Sequence, residues 1–148
     1  MNMQGHILAG AVIATGLAFA VDKPVKLSDV PPAVQKAIQE QAKGAVIKGL
    51  SVETEKGKTF YEAETMLNGH GRDLLFDKTG ALVEVEEETT LDAIPVPAKS
   101  AIQTKAAGRK VLKVEAVTNG SSVSYEAEIE KNGKKLEFAV KPDGTVSK

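Results

Sequence analysis

Along the chain the spacing of apolar residues switches twice from a helical period to a period of two. Ala33/Val34, Ala37/Ile38 and Gln41/Ala42 recur at the three-and-four spacing of one helix face. Pro31 and Pro32 suit the first helical turn, where a missing N–H costs nothing, and Gly44 is placed to close the helix. Leu50 and Val52, then Tyr61, Ala63 and Thr65, then Leu74 and Phe76, then Val83 and Val85 alternate with polar neighbours, as strands with one buried face do. Asn68-Gly69 predicts a tight hairpin because both residues tolerate positive φ, and Lys78-Thr79-Gly80 predicts the turn after it. Ala98, Ala101/Ile102 and Lys105/Ala106 open the second cycle, closed by Gly108. Asn132-Gly133 and Pro142-Asp143-Gly144 mark its turns.

The two cycles are related in sequence. A shift of 64 positions lays Tyr61-Glu62-Ala63-Glu64 on Tyr125-Glu126-Ala127-Glu128 without a gap, together with Pro31 on Pro95, Ala37-Ile38-Gln39 on Ala101-Ile102-Gln103, Gly44 on Gly108 and Gly80 on Gly144. The matches fall at turns and apolar positions, which reads as a tandem duplication. The expected fold class is therefore α+β: two tandem units, each one helix followed by an antiparallel meander of about four strands, packed side by side. Residues 21–88 form the first unit and residues 89–148 the second. A unit of this size is marginal alone, and the connection from Glu86 to Leu91 is too short for a free linker, so a single fused core is expected.

Ile7 to Val21 carry no charge, and Ala18-Phe19-Ala20 offers the small residues a signal peptidase reads, so residues 1–20 read as a secretory signal peptide cut after Ala20. Met1 to Gly10 lack Lys and Arg, a departure that a misplaced start or a weak signal would explain, and an uncleaved anchor is the rival reading. The mature chain is then expected in a periplasmic or secreted, extracytoplasmic setting, with no stable membrane insertion after cleavage.

A proline-led helix, a glycine, strands built around Tyr-Glu-Ala-Glu, an Asn-Gly turn and a final Gly-x-Leu/Val resemble the PepSY-like family. More narrowly they resemble the tandem β-lactamase-inhibitor-like (BLIP-like) proteins of bacterial envelopes. The resemblance spans Val25 to Lys148 and rests on structural motifs, so it supplies no signature site residues. It implies protein binding or peptidase inhibition in the envelope.

Composition narrows the chemistry. The 148 residues hold 19 basic and 20 acidic side chains, a net charge of −1, without the basic footprint of a nucleic-acid binder. There is no cysteine, which removes thiol nucleophiles, thiolate metal sites and disulfides. His70, the one histidine outside the signal segment, lies between Gly69 and Gly71 and reads as a solvated turn residue. Asn119-Gly120-Ser121 more simply makes a turn than a glycosylation site. No catalytic residue, metal ligand or cofactor is assigned, and no loop has the D-x-[DN]-x-[DN]-G calcium spacing.

Charge is unevenly shared, net −4 over residues 21–88 and net +3 over residues 89–148. If Leu50, Tyr61, Leu74 and Val83 face the first helix, the opposite face presents Glu53, Glu62, Glu64, Asp73, Asp77, Glu84 and Glu86 with no Lys or Arg among them. The corresponding positions of the second unit are mixed: Lys113, Glu115, Glu126, Glu128, Lys135, Glu137 and Lys141. Such strand carboxylates ordinarily face water, and the plain reading is a solvated face protected from edge pairing. An acidic first half complementing a basic second half is another. The functional reading is a non-catalytic protein-binding module, with a peptidase or other envelope enzyme as the partner it restrains. The partner surface is then Glu53, Glu62, Glu64, Asp73, Leu75, Asp77, Glu126 and Glu128, the carboxylates steering a basic partner and Leu75 supplying apolar contact. The alternative function is a small-ligand or cation-binding envelope protein.

Overall fold

Pro31 and Pro95 stand immediately ahead of the two helices, α1 (Pro32–Gln41) and α2 (Val96–Ala106). In the computed structural model, residues 23–147 apart from Lys56 are described, and the expected signal segment, residues 1–20, lies outside them. Strands follow the chain as β1 (Lys23–Pro24), β2 (Val46–Glu55), β3 (Lys58–Leu67), β4 (His70–Asp77), β5 (Leu82–Thr89), β6 (Val111–Asn119), β7 (Ser122–Lys131) and β8 (Lys134–Val140). They form one sheet in the order β1-β2-β3-β4-β5-β6-β7-β8, every neighbour antiparallel.

This overturns the expected pair of tandem helix-plus-meander units packed side by side. The architecture is one eight-stranded antiparallel sheet carrying two short helices, and β5 and β6 pair directly from Val85↔Thr118 to Thr89↔Val114. The charged run Glu86-Glu87-Glu88, expected as a connection, is strand. The physical reason is the edge: two separate meanders would each expose an unpaired strand, and pairing β5 with β6 satisfies both backbones. Among the described residues the last stretch holds three strands, followed by an isolated Val140↔Val146 bridge.

Apolar packing stays divided even though the sheet is continuous, so the expected single fused core is also corrected. Val34 and Ile38 of α1 are fully buried against Ala63, Leu74 and Phe76. Ala98 and Ile102 of α2 pack with Val114, Ala127 and Val140. Leu82 and Val85, rather than Val83, join the first cluster, because a bulge slips the β4–β5 register between Leu75 and Phe76. Both helices lie on this one face of the sheet.

The turns lock the helices to the sheet. Asn68 and Gly69, and Asn132 and Gly133, all take positive φ at the β3–β4 and β7–β8 hairpins. Gly80 (φ +85°) brings the β4–β5 turn so close to α1 that a Cβ there would lie 2.6 Å from the Ala33 carbonyl oxygen. At Gly144 (φ +89°) it would lie 2.8 Å from the Pro97 carbonyl oxygen, at the start of α2. Gly80→Ala should therefore cost about 2–4 kcal/mol in chemical denaturation, against about 1 kcal/mol for Gly120→Ala, where positive φ meets open space. Equal losses for the two would show that the α1 contact contributes nothing.

Candidate functional site

The strand register sorts the acidic residues onto the face opposite the helices. Across the sheet, Ser51, Glu62, Leu75 and Glu84 form one row of paired positions. Gly49, Glu64, Asp73, Glu86 and Val117 form the next. A third row runs Glu88, Glu115, Glu126 and Ala139, and a fourth Lys113, Glu128 and Glu137. Glu53 and Asp77 both pair with Phe60 at one end of the face. The eight residues chosen from the sequence thus share one side of one sheet, the two halves joined by the β5–β6 pairing.

The face is not the solvated surface the sequence suggested. Relative exposure is only 6% for Glu62, 4% for Glu84, 6% for Glu86, 5% for Glu115 and 3% for Glu126. Among the described residues no helix packs over them. They shield one another, since side chains directly opposite in an antiparallel pair stand about 5 Å apart and the twist of the sheet draws successive rows together. Glu62, Asp73, Leu75, Glu84 and Glu86 crowd together at the centre and leave no space between them for a water molecule. Gly49 has no side chain, leaving room for the Glu64 carboxylate, which a Cβ would meet at 3.3 Å.

Some of these carboxyls have identifiable partners. Ser51 Oγ donates to Glu62 Oε2 at 3.1 Å, Asn119 Nδ2 to Glu84 Oε2 at 3.2 Å, and the Thr65 backbone N–H to Asp73 Oδ1 at 3.2 Å. Lys113 Nζ lies 2.5 Å from Glu115 Oε1, and Lys135 Nζ lies 3.0 Å from Glu128 Oε1. Glu86 Oε1 and Glu126 Oε2 are buried and meet no hydrogen-bond partner among the described residues.

Protonation follows from this crowding. Burial, reinforced by the charges of Glu126, Glu115, Glu84 and Glu62, pushes the Glu86 carboxyl up to about 10. Burial also raises Glu126, to about 9, and Glu137, each reinforced by neighbouring acids. Asp73 is raised because burial outweighs the Thr65 N–H. Burial opposes the charge on Lys113, but Glu115, Asp73 and Glu86 outweigh it and raise its pKa.

The residues chosen from the sequence divide accordingly. Glu62, Leu75 and Glu126 are buried in the middle, while Glu64, Asp73 and Glu128 are half-buried around them. Glu53 is buried at the end of the face. Asp77 belongs to the β4–β5 turn, its Oδ1 accepting from the backbone N–H groups of Thr79 and Ala81. Glu86 and Glu115 were on the predicted face but outside the chosen set. Their parity was readable, whereas their meeting across β5–β6 was not.

No family model matches the chain, and no curated protein matches it. Solved structures share its fold. One is a candidate periplasmic protein from Bacteroides eggerthii, 21% identical over 79% of this chain and 85% of that one, with a TM-score of 0.64. A DUF2874 family protein from Bacteroides ovatus is 21% identical over 81% of this chain and 86% of its own, with a TM-score of 0.62. A BLIP-like protein from Bacteroides fragilis is 18% identical over 79% and 82%, with a TM-score of 0.56. At these identities the likeness is one of fold. It accords with the BLIP-like part of the resemblance, and none of the three is described as PepSY-like.

The buried carboxyls fix how stability varies with pH. A carboxyl held above its unfolded value of 4.5 binds its proton more tightly in the folded chain. Its contribution is full below about pH 4.5 and is lost as pH rises toward about 10. Asp77, Asp92 and Asp143 are lowered from 3.8 and act oppositely, losing their contribution as pH falls below that value. Melting curves should give a Tm higher by about 5 °C or more at about pH 5 than at about pH 8, and Glu86→Gln should narrow the gap by raising the Tm at the higher pH. A flat profile, or greater stability at the higher pH, would refute the buried-acid description.

Proposed function

We propose that the chain is an extracytoplasmic, non-catalytic binding protein whose carboxylate face docks a basic segment of another envelope or secreted protein. The observation behind this reading is an excess of acidic over basic groups: Glu62, Glu64, Asp73, Glu84, Glu86, Glu115, Glu126, Glu128 and Glu137 share a face reached by Lys113 and Lys135. A basic segment would neutralise the face, and the half-buried Glu64 and Glu128 give it access. Leu75 and Val117, on the same face, are buried at 3% and 4% exposure, so the apolar contact expected of Leu75 is covered by the acids around it.

The extracytoplasmic setting is supported by the periplasmic description of the B. eggerthii protein of similar fold, and a binding role by the BLIP-like description of the B. fragilis protein. Among the described residues no helix is long and apolar enough to cross a membrane. His70 is exposed at the β3–β4 hairpin tip, away from the carboxylate rows. The expectation that the partner is a peptidase gains no particular residue from this geometry.

A labelled peptide of alternating lysine and alanine should bind with micromolar affinity in fluorescence anisotropy. That affinity should weaken about tenfold or more between about 50 and about 300 mM salt, because screening shortens the reach of the face. Reversing the accessible charges with Glu64→Lys and Glu128→Lys should abolish it. Equal binding of an acidic peptide, or binding insensitive to both salt and charge reversal, would defeat the docking reading.

A further inference from the structure

We propose that Asp73, Glu86 and Glu115, brought together from β4, β5 and β6, form a binding site for a calcium ion. One carboxylate oxygen from each residue lies within 4.8 Å of those from the other two. Two oxygens bound to one ion at 2.3–2.6 Å stand at most about 5 Å apart, so the three fit a single calcium shell. The donors are all carboxylate oxygens, with no nitrogen or sulfur, which suits a hard cation.

Glu86 supplies the second and separate observation. It is buried to 6% exposure, and its Oε1 meets no hydrogen-bond partner among the described residues. A polar atom in that position costs free energy unless something fills the gap. Glu86 pairs with Asp73 on one side and with Val117 on the other, and Glu115 stands two positions along β6 from Val117 on the same face. Its carboxyl therefore lies between the two other acids.

Lys113 is the competitor. Its Nζ sits 2.5 Å from Glu115 Oε1, and its side chain is 42% exposed, so the ammonium can withdraw into water when a divalent ion arrives. The ammonium meets one of the three acids, whereas a calcium ion can bind an oxygen from each. Asp73 is half-buried and lies at the entrance, and water would complete the shell. The site engages three acids at the seam, whereas peptide docking is approached through the half-buried Glu64 and Glu128.

Calorimetry and thermal unfolding with calcium chloride, at constant ionic strength, test the assignment. The wild-type chain should bind one calcium per chain with a Kd of about 10⁻⁴–10⁻³ M, the range of extracellular calcium modules, and should melt several degrees higher when saturated. Glu86→Gln keeps the shape and should weaken binding about tenfold or more while remaining folded without calcium. Asp73→Asn, at the half-exposed entrance, gives the same reading should the buried variant fold poorly. Lys113→Met should bind more tightly than wild type. Absence of binding at about 10 mM calcium, about ten times the weakest affinity expected, would overturn the site. So would unchanged affinity in both Glu86→Gln and Asp73→Asn, or an equal response to magnesium, whose shell is smaller and more rigid.

Discussion

The direct pairing of β5 with β6 is the interaction on which the rest of this structure depends. It turns two meanders into one eight-stranded sheet and removes two unpaired edges. The two apolar clusters remain separate beneath α1 and α2, so the seam is held by backbone hydrogen bonds and cross-strand neighbours rather than by a shared core. It also sets Glu88 opposite Glu115 and Glu86 opposite Val117, which carries the acidic rows of one half into the other.

That junction gives the carboxylate face its chemistry. Isolated on a flat sheet, each glutamate would be hydrated and ionised. Crowded in register on a continuous twisted sheet, Glu62, Glu84, Glu86, Glu115 and Glu126 are nearly removed from water. Like charges at such distances cannot all persist, so protons, the Lys113 and Lys135 ammonium groups, or an outside cation must balance them. Such an arrangement costs stability as pH rises. Equally placed apolar residues would hold the sheet without that cost.

Much of this was legible in the residues. The helix stripes led by Pro31 and Pro95, the Asn-Gly hairpins and the two-residue alternation around Tyr61–Thr65 gave the elements, and strand parity put the acids on the side away from the helices. The bulge that replaces Val83 with Leu82 in the first cluster was not legible, because bulges arise from register between strands. The seam was hidden for a related reason: Glu86-Glu87-Glu88 looks like a polar connection until it has a partner strand. Burial of the acids was hidden most deeply, since it depends on neighbours contributed by distant segments and on the twist of the assembled sheet.

Following the carboxyl carbon resonances of isotopically labelled glutamate against pH, with Glu86→Gln to assign one signal, tests the buried acidic face most directly. If the face is as crowded as the register implies, the Glu86 carboxyl is still protonated at neutral pH and titrates near 10, far from the ordinary value of 4.5. If every glutamate, Glu86 included, titrates together in the ordinary range, the face is open to water and both the proton balance and the binding roles built on it are wrong.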